Sequence, residues 1–508
     1  MTYKIDHYPW PRQSDYLIKP SSNEDLISAA RRALQRTTGR GALGLVNTGD
    51  KVLIVTPEVP KVQDPIILNI IIKAFQEKGI EATAISEGEI YSTNKLDEDE
   101  YLNSCVDGWK EIFWREENTA MFPPEIQVQR PTKLLSSAKK NPEGQRPLRE
   151  FLQKNKEFNA LYVGTGGRDD YRYALQEEGV RFKDNWLYHT IEDLLSRENN
   201  FPDEVCKMVE QKTVKLLSQA EEVRVTDPQG TELWWPMDPK EAKLWGEMAP
   251  HTGHLYMYPP AVNGSLADTP WLHGKAEEIF HFPKARGVIS STTNHVGAYE
   301  HIRVYIENGV VYKVEGGGLF GELFRIILAK TKDIHYPYYP EPGYLYITEG
   351  ALGTNPKSFR SKNTLHSYKW FPNFGERNRS GVIHWGFGVH PTTPEIVEWA
   401  NKRNFPKEHG MHLHSLFATY SIKLRGTREW YDIIKKGRLV ALDDPEVVEL
   451  ASRYGDPKEI LSEDWIPAIP GINYPGDYMK NYGENPSDWI RRELTGNLPI
   501  IIGVPRIM

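Results

Sequence analysis

His412-Leu413-His414 lies in the run Gly410–Tyr420, which reads as a β-strand. Side chains at i and i+2 of a strand share one face, so these two imidazoles can reach the same ion. His384, His390 and His409 lie just upstream, and five of the fifteen histidines fall between residues 384 and 414. Imidazole binds divalent transition metals and also titrates near neutral pH. The competing reading is a polar strand face carrying ordinary histidines. A metal needs more than two ligands, and the same half of the chain offers further candidates. Glu349 follows Tyr344-Leu-Tyr-Ile-Thr and precedes Gly-Ala-Leu-Gly, so it reads as a carboxylate at a strand end, aimed into a cleft. His384 sits in Gly381-Val-Ile-His-Trp-Gly-Phe-Gly-Val-His-Pro391, and His254 in His251-Thr-Gly-His-Leu-Tyr-Met-Tyr-Pro-Pro260. His251 and His390 are weaker candidates, because each stands beside turn residues.

The elements that must hold these residues fall into two textures. At 508 residues the chain is too long for one ordinary core, and two large domains are expected. With 39% hydrophobic and 26% charged residues it has the composition of a globular protein. Residues 1–220 read as α/β. Lys51-Val-Leu-Ile-Val-Thr56 is a nearly continuous apolar run, expected of a buried parallel strand. A helix over Asp64–Lys78 and a second strand over Ile80–Ile85 complete a βαβ unit. Phe158–Gly164 reads as another parallel strand, and Thr165-Gly166-Gly167 after it as a turn or an anion seat. Asn23–Gln35 and residues 202–220 read as helices. Residues 221–508 read as a mixed or antiparallel, β-rich, metal-binding domain. Short alternating runs there are punctuated by Gly, Pro and Asn, and Glu307-Asn308-Gly309 is a hairpin signal. The aromatic residues around 335–346 and 368–371 suit either a flat substrate or a β-rich core.

Charge and cysteine content narrow the classes. A net charge of −7 gives no global attraction to nucleic acid or an anionic membrane surface. The longest apolar run, Pro65-Ile-Ile-Leu-Asn-Ile-Ile-Ile, is far short of a membrane span. Two cysteines far apart, Cys105 and Cys206, argue against a disulfide scaffold or a thiolate metal site and fit a reducing cytoplasm. No Gly-rich dinucleotide or phosphate loop occurs. The expected partner is a small-molecule substrate.

Six segments, in order, resemble the metalloaminopeptidases of the aminopeptidase T and aminopeptidase S type. They are Glu222-Val-Arg-Val-Thr-Asp-Pro-Gln-Gly-Thr-Glu-Leu, the His251–Pro259 segment, Ile302-Arg-Val-Tyr-Ile-Glu-Asn-Gly-Val-Val, Ile347-Thr-Glu-Gly-Ala-Leu-Gly-Thr-Asn-Pro, His384-Trp-Gly-Phe-Gly and Met411-His-Leu-His. The resemblance covers roughly residues 220–430. It implies a two-metal site, a homodimer, and metal ligands at Glu349, His384 and His412. This chain departs from the pattern at three carboxylates: His254 and His414 replace two of them, and a third position falls on Arg379. The family's tyrosine falls on Pro391. Two dications close together need anionic ligands between them, so the departures point away from the peptidase.

A second branch of that superfamily, the ring-opening 2,5-dihydroxypyridine dioxygenases, holds one Fe(II). The resemblance places its iron ligands at Glu349, His412 and His414, a set of two histidines and one carboxylate. The expectation is therefore a mononuclear non-heme iron oxygenase acting on a small aromatic or heteroaromatic substrate. Glu349, His412 and His414 would hold Fe(II), with His254 and His384 as proton-transfer or substrate-orienting groups. Arg379 reads either as a solvated loop arginine or as a group that could meet a substrate carboxylate. The residues around 357–380 are an insertion relative to those dioxygenases. The alternative is an aminopeptidase or amidohydrolase using zinc, cobalt or manganese, with His254 and His384 as further ligands. A third reading is a metal-binding protein without catalysis.

Overall fold

Two hydrophobic rhythms mark the two main sheets, beside a two-stranded pairing of Arg12–Gln13 with Trp465–Ile466. The computed structural model describes residues 8–13, 20, 22–36, 43–44, 46–56, 64–86, 89–90, 142–163, 180–184, 188, 191–239, 242, 254–257, 284–294, 297–360, 374–389, 394–403, 405 and 409–498. The first strands are β1 (Arg12–Gln13), β2 (Lys51–Thr56), β3 (Glu81–Ser86), β4 (Ala160–Val163) and β5 (Arg181–Asp184). Next come β6 (Ala220–Thr226), β7 (Glu232–Pro236), β8 (His254–Met257), β9 (Arg286–Thr293), β10 (Ala298–Glu307), β11 (Val310–Gly316) and β12 (Tyr346–Gly353). The last are β13 (Ile383–Gly388), β14 (His409–Ser415), β15 (Thr419–Leu424), β16 (Trp430–Lys435), β17 (Arg438–Leu439) and β18 (Trp465–Ile466).

The smaller sheet is parallel, in the order β3-β2-β4-β5. Its central strand is covered on both faces, which is why Val52 through Val55 are all apolar and all buried. Val52 and Ile54 pack against the helices Asn23–Ala33 and Pro65–Glu77, while Leu53 and Val55 pack against Leu148 and Leu152 of the helix Pro142–Lys154. The helix Pro65–Glu77 opens on an Asp64 cap, whose carboxylate accepts the Ile66 N–H at 2.8 Å, with Pro65 at its first position. The Thr165–Gly167 turn lies outside the described residues.

The larger sheet has twelve strands. Its path is β14-β13-β12-β11-β10-β9-β7-β6-β15-β16-β17, with β8 added alongside β12, and its described pairings are antiparallel. β10 and β11 form the expected hairpin, turned by Asn308 (φ 51°) and Gly309 (φ 79°). The sheet curls until its edge strand β14 lies against β9. Ser291 Oγ donates to the His414 carbonyl at 2.7 Å and accepts from the His414 N–H at 3.3 Å. Asn294 Nδ2 reaches the His412 carbonyl at 3.3 Å.

Strand periodicity then separates core from site. Trp385 and Phe387 of β13, Met411 and Leu413 of β14 and Leu352 of β12 belong to one apolar core. His384, Gly386, His412 and His414 alternate with them and share the opposite face. Glu349 joins that face through a β-bulge. Ile347 pairs with Phe387 on the core side, and the register shifts before Glu349 pairs with Gly386. Two expectations change here. Glu349 is interior to β12, which continues to Gly353 because β8 and β13 pair with it on either side. The Gly410–Tyr420 run is two strands, broken near Phe417 in a left-handed backbone conformation (φ 58°).

The N-terminal residues reach across to the far end of the chain. β1 pairs antiparallel with β18, and Asn473 Nδ2 donates to the Pro9 carbonyl at 2.9 Å. Tyr8 meets Phe417 edge to face. No helix among the described residues is long and apolar enough to cross a membrane. Cys206 is buried with its Sγ 3.7 Å from Glu210 Oε1, and Cys105 lies outside the described residues.

Candidate metal centre

Across β12, β13 and β14 the register lays down two adjacent rows on the site face. Glu349, Gly386 and His412 form the first row; Ala351, His384 and His414 form the second. The small residues Gly386 and Ala351 leave the space that the larger side chains share. A Cβ at Gly386 would stand 2.9 Å from Glu349 Cβ, 3.0 Å from its Oε2 and 3.4 Å from His412 Cδ2. The missing side chain is therefore what lets the carboxylate and the imidazole approach over β13.

Glu349, His384 and His412 form a cluster whose ligand atoms all lie within 4.8 Å of one another. Nε2 of His384 and Nε2 of His412 stand 3.4 and 3.7 Å from Glu349 Oε2. Their rings are nearly parallel, 23° apart, with centroids 4.7 Å apart. Two donors about 2.1 Å from a shared ion, at tetrahedral or octahedral angles, stand roughly 3.0–3.4 Å from each other. The two-imidazole, one-carboxylate chemistry fits a single divalent cation, and the distances to Glu349 Oε2 lie at the edge of that range for His384 and 0.3 Å beyond it for His412. All three side chains are buried, His412 being the most exposed at 4%.

The sequence-derived assignments redistribute around this cluster. Glu349 and His412 are in it, and His384 is the third member. His414 stands behind His384. Its Nε2 is 3.0 Å from His384 Nδ1, and its Nδ1 is 2.7 Å from Glu376 Oε1. The i, i+2 spacing puts both histidines on one face, but the second row turns His414 toward Glu376. His254 is the register partner of Gly353, four residues along β12 from Glu349; its side chain lies outside the described residues. So do His251, His390 and Pro391, and the side chain of His409. Arg379 does not meet solvent. It is buried, its Nε donates to the Trp465 carbonyl at 2.8 Å, and its guanidinium lies 5.7 Å from the Trp465 ring centroid.

A further buried carboxylate, Glu376, stands behind the cluster. Arg360 and Glu376 flank residues 361–373, which lie outside the described residues. Arg360 Nε donates to Glu376 Oε2 at 2.8 Å, its Nη2 lies 2.7 Å from the same oxygen as an ion pair, and its Nη1 donates to Glu493 Oε2 at 3.1 Å. Thr293 Oγ1 donates to Glu376 Oε1 at 2.6 Å. Burial pushes the Glu376 carboxyl up, but the Arg360 guanidinium, aided by His414 and Thr293, outweighs it and holds the pKa down at about 2. Burial raises Glu493 against the pull of the same guanidinium. No spacing rule links Glu376 to the histidines. Its position eight residues before His384 acquires meaning only once β13 and β14 are paired.

The aromatic stretch resolves toward packing. Tyr336, Tyr339, Tyr344 and Tyr346 are all buried, and Tyr336 also meets Trp399 at 5.3 Å. Residues 368–371 lie outside the described residues.

No family model matches the chain, and no curated protein sequence matches it. Among solved structures, one similar chain is a 2,5-dihydroxypyridine dioxygenase from Pseudomonas putida KT2440. The two are 14% identical with a TM-score of 0.43, and the likeness covers 84% of this chain and 99% of that one.

Proposed function

We propose that the protein is a mononuclear metalloenzyme, with Glu349, His384 and His412 holding Fe(II), and that it oxygenates a small substrate. The single observation that carries this reading is the donor set. Two imidazoles and one carboxylate converge from three adjacent strands, which is the ligand chemistry of non-heme iron oxygenases. Bound there, Fe(II) would supply a redox-capable centre with coordination positions left for dioxygen and substrate. The chain's own part is to bind and to exclude. Glu349 offsets one of the two positive charges, and His384 and His412 complete the set without adding charge. Burial keeps bulk water away, so each electrostatic interaction acts in a low dielectric. Ligands this deep also favour a small substrate over a polypeptide.

The test is anaerobic loading with Fe(II), followed by oxygen-uptake measurements with hydroxylated aromatic acids and pyridines. The expected result is one iron per chain and uptake with at least one compound; zinc as the sole copurifying metal with no uptake would sink the oxygenase. The second reading is a zinc hydrolase, favoured by the same two-histidine, one-glutamate set, which zinc also accepts to activate water. Amide hydrolysis restored by zinc and not by iron would select it. Substituting Glu349→Ala or His412→Ala is expected to reduce metal content under either reading, and unchanged content would remove the site itself.

A further inference from the structure

We infer that Glu376 and His414 form a two-step relay that fixes the ring tautomer of His384, and that this is what directs the His384 Nε2 lone pair into the metal centre. The inference rests on the reading of Glu349, His384 and His412 as that centre. It assigns positioning roles to Glu376 and His414 that ligand spacing alone does not.

The argument is hydrogen-bond accounting. Arg360 clamps Glu376 through one hydrogen bond and one ion-pair contact, both at Oε2, so the carboxylate stays ionised and can only accept. The hydrogen between Glu376 Oε1 and His414 Nδ1, at 2.7 Å, therefore belongs to His414. In its neutral form His414 has that one N–H, so its Nε2 is an acceptor. Its partner at 3.0 Å is His384 Nδ1, which must then be the donor. With the proton on Nδ1, the lone pair of His384 lies on Nε2, the atom 3.4 Å from Glu349 Oε2. Metal-binding histidines generally donate their other N–H to a carboxylate or carbonyl, which orients the ring and raises its basicity. Here a second imidazole stands between the carboxylate and the ligand. Backbone anchoring holds that intermediate ring in place, since Ser291 Oγ bonds both the N–H and the carbonyl of His414.

The experiment uses the full chain and Co(II) as the probe, followed by its visible absorption. Wild type is expected to take up one Co(II), and His384→Ala to lose it. If wild type takes up none, the metal-centre reading fails. Given wild-type uptake, His414→Phe keeps the ring volume but cannot accept from His384, and is expected to weaken Co(II) binding by about 10–100-fold. His414→Gln places an amide oxygen near the imidazole Nε2 position, and is expected to bind within a few-fold of wild type. A purely packing role for His414 predicts the reverse order. That order, or wild-type affinity in His414→Phe, overturns the relay while leaving the metal centre standing. Metal-free wild type provides a measurement that needs no variant to fold. Nitrogen-15 correlation spectra of labelled histidine are expected to show His384 protonated at Nδ1, and protonation at Nε2 would overturn the relay.

Discussion

The residue that most constrains the site carries no side chain. Gly386 separates Glu349 from His412 in the first row, and its Cα–H is all that fits between them. Gly386→Ala is expected to push the carboxylate aside, weakening metal binding at least tenfold and lowering stability by about 1–3 kcal/mol. A metal titration with a urea melt of the same sample checks both; unchanged affinity would mean that Glu349 does not bind across β13. Arg360 is the second sensitive position, because two buried carboxylates depend on it. Arg360→Met removes that counter-charge and is expected to cost about 3–5 kcal/mol, read as a fall in the urea midpoint. Glu376 adds a pH dependence with a definite sign. Its folded pKa lies below its ordinary value of 4.5, so its stabilisation is fully present above 4.5 and is lost as pH falls toward about 2. Wild type should therefore be more stable than Glu376→Gln near neutral pH, and that advantage should shrink on acidification through this window. A difference that grew on acidification would contradict the clamp.

At the scale of elements, periodicity located several strands and could not place them in a row. The apolar run Val52–Val55 announces a strand covered on both faces, and Asn308-Gly309 announces its hairpin, because in each case the physics is local. The site is not local. His412 and His414 share a face, as their spacing requires, yet only the β13–β14 register puts one beside Glu349 and the other beside His384. The bulge that turns Glu349 away from the core side occupied by Ile347 has no signature in Tyr-Ile-Thr-Glu-Gly, since simple alternation would put both residues on the same side. Away from the site, Gly316, Gly317 and Gly318 all have positive φ as the chain leaves β11 for the helix Gly318–Thr331. A Cβ at Gly316 would run into the His301 carbonyl oxygen. Gly316→Ala is expected to lower stability by about 1–3 kcal/mol while leaving metal affinity intact. A parallel loss of affinity would show that the β10–β11 hairpin and the metal centre are coupled.

Across the whole molecule, the presence of a parallel sheet and of a larger antiparallel one was legible, because the two bury different patterns. The closure of the chain was not. Arg12 and Gln13 resemble any polar lead-in, and their pairing with β18 depends on a contact more than 450 positions away. Removing residues 1–13 strips β18 of its partner and Asn473 of an acceptor, and is expected to lower the thermal midpoint. An unchanged midpoint would make that pairing incidental. The same long reach shapes the brace behind the metal centre. Ordered by synthesis, Glu349, His384 and His412 leave the ribosome first, and Glu493 follows roughly 4–16 s later at ordinary elongation rates. For that interval the nascent chain carries the three candidate ligands without the last carboxylate of the Arg360 clamp.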